Sequence, residues 1–212
     1  MAHVPHRVPV MSLLKEPNVR GPGTSTVRRG PGGAWPAAGG AEVVSKVQTD
    51  YSCRPLWNWG RRTPLVARER RALLGCSQAG VHVPAVVEYR EVSRGAELIT
   101  TFIPDALNLD VAVERFPAQR AKIFGSAGLE IGKLHKARWT HGALYSTHIL
   151  VCPESAFRIY LIDLEKGRRS LRAARDLDRF ERHNRYLTRQ DWADFRRGYD
   201  LGRRGLNQDF PD

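Results

Sequence analysis

The alternation of apolar and polar positions divides this chain into a strand-rich first half and a helix-rich second half. In Ala41–Thr49 (AEVVSKVQT), Val43, Val44 and Val47 are β-branched and predict a strand. Pro64–Ala79 predicts a helix: Pro64 suits a first turn, Leu65, Ala72, Leu73 and Cys76 supply an apolar stripe, and Gly80 stops it. Two strands follow, Ala85–Glu91 and Ala96–Ile103, joined through Val92–Gly95 with Gly95 as the turn residue. Arg20–Gly40 is too rich in glycine and proline for a long helix and suits short strands joined by turns. Met1–Pro17 reads as a loose extension or a short helix.

Phe116–Arg138 changes the period. Ile123, Ala127, Ile131 and Leu134 recur at helical spacing. An irregular stretch at Trp139–Thr147 is followed by short strands at His148–Val151 and Phe157–Ile162. Helices are then expected at Leu171–Tyr186 and Thr188–Tyr199, with Thr188 as N-cap and Asp191 three residues on. The order predicts an α+β fold of two lobes: an extension over 1–17, a small antiparallel-β lobe with one helix over 18–103, and a mainly helical lobe over 104–212.

Composition narrows the class. Of 212 residues, 42% are hydrophobic and 26% charged, which excludes wholesale disorder and a fibrous architecture. Thirty-four Lys and Arg against 22 Asp and Glu leave +12, a field that attracts phosphate-rich partners: nucleic acid, anionic lipid or a phosphorylated glycan. In the arginine-rich stretch Gly167–Arg204, acids at Asp176, Asp178, Glu181, Asp191 and Asp194 interrupt the cations. That favours a salt-bridged solvated face over a nucleic-acid surface. Cys53, Cys76 and Cys152 are far apart, which suits reduced thiols in the cytoplasm. No run of about 18 apolar residues is present to span a membrane, and Met1–Pro17 makes a poor signal peptide.

Four features carry candidate chemistry: Lys46 on a strand after a glycine-rich turn, Glu69 in the next helix, HGALYSTHIL at His141–Leu150, and LIDLEK at Leu161–Lys166. Singly, each reads as ordinary structure: a solvated lysine, a surface ion pair, a core histidine, a turn aspartate. Jointly they match the needs of phosphoryl transfer, which asks for a lysine on nucleotide phosphates, a glutamate that orients it, and a carboxylate on a metal ion. Protein kinases place H-R-D in the catalytic loop, an Asn five residues after the Asp, and a metal-binding Asp further on. Here His141, Ala143, His148 and Asp163 hold those four positions.

The strings H-G-x-L-Y-x-x-H-I and I-D-L-E-K, with EPNVRGPGTSTV (Glu16–Val27) and TPLVARERRALL (Thr63–Leu74), resemble the lipopolysaccharide kinase (Kdo/WaaP) family, in particular its InaA-like branch. The resemblance implies a bilobal protein-kinase-like fold, ATP and Mg²⁺, and a sugar of the lipopolysaccharide core or another anionic acceptor. It implies a cytoplasmic protein, with contact to anionic lipid at the inner face of the inner membrane. Residue by residue, it implies that Lys46 binds phosphate with Glu69 as its partner. Gly21, Gly23, Thr24 and Ser25 would cradle the nucleotide. Asp163 would bind metal, His148 would hold the second metal or phosphate position, and His141 would fix the loop backbone. Asp176 would brace that loop from a helix. Family members carry Asp where this chain has Ala143, and alanine cannot accept a proton. Glu165 and His148 are the residues that could take over that role. The alternative is a pseudokinase that binds nucleotide and serves as a regulator or scaffold.

Overall fold

The computed structural model describes residues 12–20, 23–54, 59–184 and 186–206. The chain divides into two compact units, one ending at Arg71 and taking back Ala85–Phe102, the other holding Ala72–Pro84 and the chain from Ile103.

The first unit is built on five antiparallel strands. β1 (Ser12–Arg20), β2 (Gly23–Gly30) and β3 (Val43–Thr49) run in sequence, then β4 (Ser52–Cys53) pairs with β5 (Thr63–Pro64) and α1 (Leu65–Gln78) begins. β6 (Val86–Val92) and β7 (Gly95–Thr101) complete the sheet in the order β1-β2-β3-β7-β6. β3 is therefore the central strand, and its side chains are pinned from both sides. The sequence pattern predicts a loose extension or a short helix over Met1–Pro17; residues 12–17 instead form part of edge strand β1, and 1–11 lie outside the described residues. A small core of Trp35, Ala38, Val43 and Ile99, with Val87 against it, sits under the sheet.

The β6–β7 turn differs from the expectation. Arg94, not Gly95, takes the left-handed conformation at φ 63°, and its carbonyl accepts from Asp50 N at 2.8 Å. Gly95 already belongs to β7, opposite Thr49, where a Cβ would overlap the Gln48 carbonyl oxygen. The glycine serves close approach of two strands.

The second unit is mainly helical. β8 (Leu107–Asn108) leads into α2 (Leu109–Arg115) and α3 (Arg120–Lys136). The pattern predicts one helix over Phe116–Arg138; Pro117 instead opens a separate 3₁₀ turn, because proline cannot continue a helical ladder, and α2 precedes it. β9 (Trp139–Thr140), β10 (Ile149–Cys152), β11 (Arg158–Leu161) and β12 (Arg168–Arg169) follow. β10 pairs with β11 and β8, and β12 with β9. α4 (Ala174–His183) and α5 (Arg189–Arg204) close the unit. α4 is shorter than Leu171–Tyr186 because Ser170–Ala173 form a turn and Asn184 Nδ2 donates to the Phe180 carbonyl at 2.6 Å. α5 starts at a full capping box between Thr188 and Asp191, and Arg120 clamps the same carboxylate at 2.5 and 2.8 Å.

α3 and α5 pack backbone to backbone. A Cβ on Gly128 would overlap the Phe195 carbonyl oxygen, on Gly132 that of Tyr199, on Gly198 that of Gly125 and on Gly202 that of Leu129. Around this seam Phe124, Phe180 and Phe195 are fully buried, with Phe180 and Phe195 stacked at 4.9 Å.

Candidate active site

In the first unit, β3 presents Lys46 at mid-strand, with only 9% of the residue exposed. Burying an ammonium is costly without a counter-charge. Glu69, from the first half of α1, supplies one: Lys46 Nζ donates to Glu69 Oε2 at 2.8 Å. A charge-assisted hydrogen bond of this kind holds the lysine side chain extended off its strand. The glycine-rich segment enters β2. Gly23 opens the strand against Asp50, where a Cβ would lie 2.8 Å from the Asp50 carbonyl oxygen. Thr24 is exposed, whereas the buried Ser25 hydroxyl accepts from Gln48 Nε2 at 3.3 Å. Gly21 lies outside the described residues.

The second unit brings together His141, Ala143, His148, Asp163 and Asp176. The segment between β9 and β10 is irregular, and its backbone polar groups need partners from elsewhere. Asp176 at the start of α4 provides them: one carboxylate oxygen accepts from His141 N at 2.6 Å, the other from Gly142 N at 2.9 Å. Gly142 has φ +77°, and Arg179 donates to its carbonyl. His135 Nε2 lies 3.2 Å from Asp176, and its Nδ1 lies 3.0 Å from the Tyr199 hydroxyl. Nε2–H donates to the carboxylate, and Nδ1 shares a hydrogen bond with the tyrosine hydroxyl. Burial alone would raise the Asp176 carboxyl; the bonds from His135, Gly142 and His141 outweigh it and hold the group below the ordinary aspartate range.

His141 is fully buried, and its Nε2 donates to the Ile162 carbonyl at 2.9 Å. Burial, with His148 nearby, pushes its pKa down to about 4, so the ring is neutral. Its Nδ1 has no hydrogen-bond partner among the described residues.

His148 stacks on His141 at 5.7 Å, and its Nδ1 donates to the Ala143 carbonyl at 2.8 Å. In the neutral ring Nε2 then carries a lone pair. That nitrogen lies 3.4 Å from Asp163 Oδ2. Two electron-pair donors facing one another in this way can share a proton or a cation. Asp163 follows the apolar β11 strand at φ 58°, a left-handed conformation that aspartate tolerates better than most residues. Glu165, in the next 3₁₀ turn, offers an oxygen within 4.8 Å of an Asp163 oxygen. Asp163 thus has a carboxylate neighbour in Glu165 and an imidazole neighbour in His148, donor types that suit a divalent cation.

Sequence reasoning did not reach His135, Tyr199 or Arg179. The available signal was a histidine on the apolar face of α3, which ordinarily marks a satisfied core residue.

A strand lysine paired with a helix glutamate in an antiparallel sheet, followed by a braced His-led loop, a hairpin and an aspartate in a helical unit, defines a protein-kinase-like fold. A family model, lipopolysaccharide kinase (Kdo/WaaP) family, matches residues 11–199. The chain belongs to that family. It is similar to the 3-deoxy-D-manno-octulosonic acid kinase of Vibrio parahaemolyticus, 32% identical over 107 residues that cover 49% of this chain and 44% of that protein. It is also similar to Protein InaA of Escherichia coli K12, 24% identical over 201 residues, 88% of this chain and 89% of that protein. The chain thus matches less than half the length of the first relative and most of the second.

Proposed function

We propose that this protein transfers the terminal phosphoryl group of ATP to a sugar hydroxyl of the lipopolysaccharide core. The observation that carries the reading is the fixed His148 ring, whose Nε2 faces the Asp163 carboxylate at 3.4 Å. In this reading Asp163, His148 and Glu165 hold Mg²⁺, which when bound neutralises charge developing on the phosphate oxygens. Lys46, steadied by Glu69, binds phosphate, and Gly23, Thr24 and Ser25 flank the nucleotide. His141 and Asp176 keep the loop backbone in one conformation. The relation to a 3-deoxy-D-manno-octulosonic acid kinase supports a sugar acceptor.

In the reaction the acceptor oxygen bonds to the γ-phosphorus, the bridging P–O bond of ATP breaks, and ADP leaves with that electron pair. The hydroxyl proton goes to water or to a nearby carboxylate, because Ala143 offers no base. A loose transition state depends chiefly on positioning and charge stabilisation, whereas base assistance is worth about 10²–10⁴-fold. We place the activity in the cytoplasm, where ATP is available. No helix of the described residues is long and apolar enough to cross a membrane.

The test measures thermal unfolding with Mg-ATP, then phosphate transfer to isolated lipopolysaccharide core. At about 100-fold excess over Kd, binding adds about 2.7 kcal/mol, on the order of 5–10 °C for a chain of this size. The wild type is expected to shift and Asp163→Ala is not. A shift without transfer, also in Ala143→Asp, would make the protein a nucleotide-binding pseudokinase. No shift with any nucleotide would remove both readings.

A further inference from the structure

Protein kinases hold their metal ions with an aspartate and an asparagine oxygen from the catalytic loop. In the asparagine position this chain sets the imidazole of His148. Three contacts hold that ring in one orientation. Its Nδ1 donates to the Ala143 carbonyl at 2.8 Å, its plane lies within 10° of the His141 ring, and its Nε2 lies 3.4 Å from Asp163 Oδ2. His141 is itself buried and tied to the Ile162 carbonyl at 2.9 Å. The protein thus sets both the plane of the His148 ring and the direction in which Nε2 points.

A second His–Asp pair in the same unit shows what differs. His135 and Asp176 have side chains 0% and 3% exposed, and the second nitrogen of His135 is shared with the Tyr199 hydroxyl, so that pair is closed to any ion. His148 and Asp163 keep 20% and 24% of their side chains exposed. An imidazole that gives one N–H to a main-chain carbonyl and presents its other nitrogen is arranged as a metal-ligating histidine: the bond fixes the tautomer and raises the basicity of the free nitrogen. Nitrogen in place of oxygen changes which ion fits. Mg²⁺ demands oxygen donors in near-ideal octahedral geometry and sheds water reluctantly, whereas imidazole suits first-row transition dications.

We infer that the metal position of this protein favours a first-row transition dication, Mn²⁺ or Co²⁺, over Mg²⁺, and that His148 sets the preference through Nε2, with Asp163 as the second ligand. The inference rests on the phosphoryl-transfer reading and refines it: Mg²⁺ enters where it is abundant, and the transition ion displaces it at equal concentration.

The probe is Mn²⁺, titrated into the full chain alone and with ADP. Bound metal is read from loss of the free-ion paramagnetic resonance signal, Mg²⁺ and Co²⁺ serve as competitors, and thermal unfolding is followed on the same samples. Competition should rank Co²⁺ above Mn²⁺ and Mn²⁺ above Mg²⁺ in the wild type. Oxygen-lined sites share some of that order, so the deciding quantity is its change in His148→Asn, which offers an oxygen instead. Losing a residue that only stands behind a metal ligand costs about 10–100-fold in affinity, so losing the nitrogen itself should cut the preference for Mn²⁺ over Mg²⁺ by at least about tenfold. In wild type grown with isotopically labelled histidine, bound Mn²⁺ should show hyperfine coupling to histidine nitrogen, and His148→Asn should lose it. The wild-type spectrum decides the matter even if the variant misfolds. Failure to bind Mn²⁺, an unchanged preference in His148→Asn, or bound Mn²⁺ without histidine coupling would overturn the inference; the last is what a doubly protonated His148 bridging Ala143 and Asp163 would give. A nucleotide shift that survives those results would leave the kinase reading standing. Histidine coupling with no thermal shift from ADP or ATP would sink the kinase reading and leave the metal assignment in place.

Discussion

Replacing Asp176 by Asn isolates what braces the candidate catalytic loop. The carboxylate accepts from His141 N, Gly142 N and His135 Nε2 at 2.6, 2.9 and 3.2 Å. The amide that replaces it keeps one accepting oxygen and turns a donating NH₂ toward at least one of those N–H groups. A hydrogen bond to a charged acceptor contributes about 1.5–3 kcal/mol, and a buried donor left unmatched adds its desolvation cost. Losing one such bond and weakening the others should cost about 3 kcal/mol, or about 6–12 °C in Tm. Linkage sets the sign with pH. The folded pKa of Asp176 is depressed, so its stabilisation is complete above the unfolded value near 3.9 and is lost as pH falls through the folded value. The gap between wild type and Asp176→Asn should therefore be constant around neutrality and close below about pH 4. Thermal unfolding read by circular dichroism from neutral pH downward measures it. A variant that melts with the wild type at neutral pH, or a gap that does not narrow in acid, would refute the reasoning.

Lys46→Met leaves the buried Glu69 carboxylate without its 2.8 Å partner and should cost roughly 3 kcal/mol in urea denaturation as well as weakening nucleotide binding. Equal affinity for nucleotide in the two proteins would count against the phosphate role of Lys46. His141, depressed to about 4 from 6.5, makes the fold lose up to about 3 kcal/mol as pH falls across that window, because the unfolded chain binds the proton first; in His141→Gln that component of the acid titration should vanish. Gly198→Ala gains about 1 kcal/mol of helix propensity but drives a methyl into the Gly125 carbonyl of α3. Overpacking against backbone costs about 1–3 kcal/mol or more, so Tm should fall, and a rise would show that the helices can separate freely.

Much of the architecture is legible along the chain because it rests on local signals. The β-branched run around Val44 marks the central strand, and Thr188 with Asp191 marks the start of α5 through chemistry contained in four residues. The α+β class follows from the order of such elements. What escapes is whatever depends on distant contact. Gly125, Gly128 and Gly132 look like weak points of a helix until α5 brings Gly198 and Gly202 against them. The candidate site divides in the same way. Lys46, His141, His148 and Asp163 stand out by spacing, whereas His135 and Tyr199 join the network only through a fold that carries position 199 to within hydrogen-bond distance of position 135. Burial was equally hidden: taken singly, Lys46 reads as a solvated lysine and Glu69 as a member of a surface ion pair, and both are buried.

The bond that orients His148 ends on the main-chain oxygen of Ala143, not on a side chain. Every amino acid carries that oxygen. The residue at 143 can therefore change its chemical character while the imidazole keeps the same tautomer and the same aim. A loop wired through its backbone in this way separates inheritance of shape from inheritance of reactivity. A lineage could shed or regain an acidic group at that position in one codon change, and the scaffold presenting the other groups would not register the event.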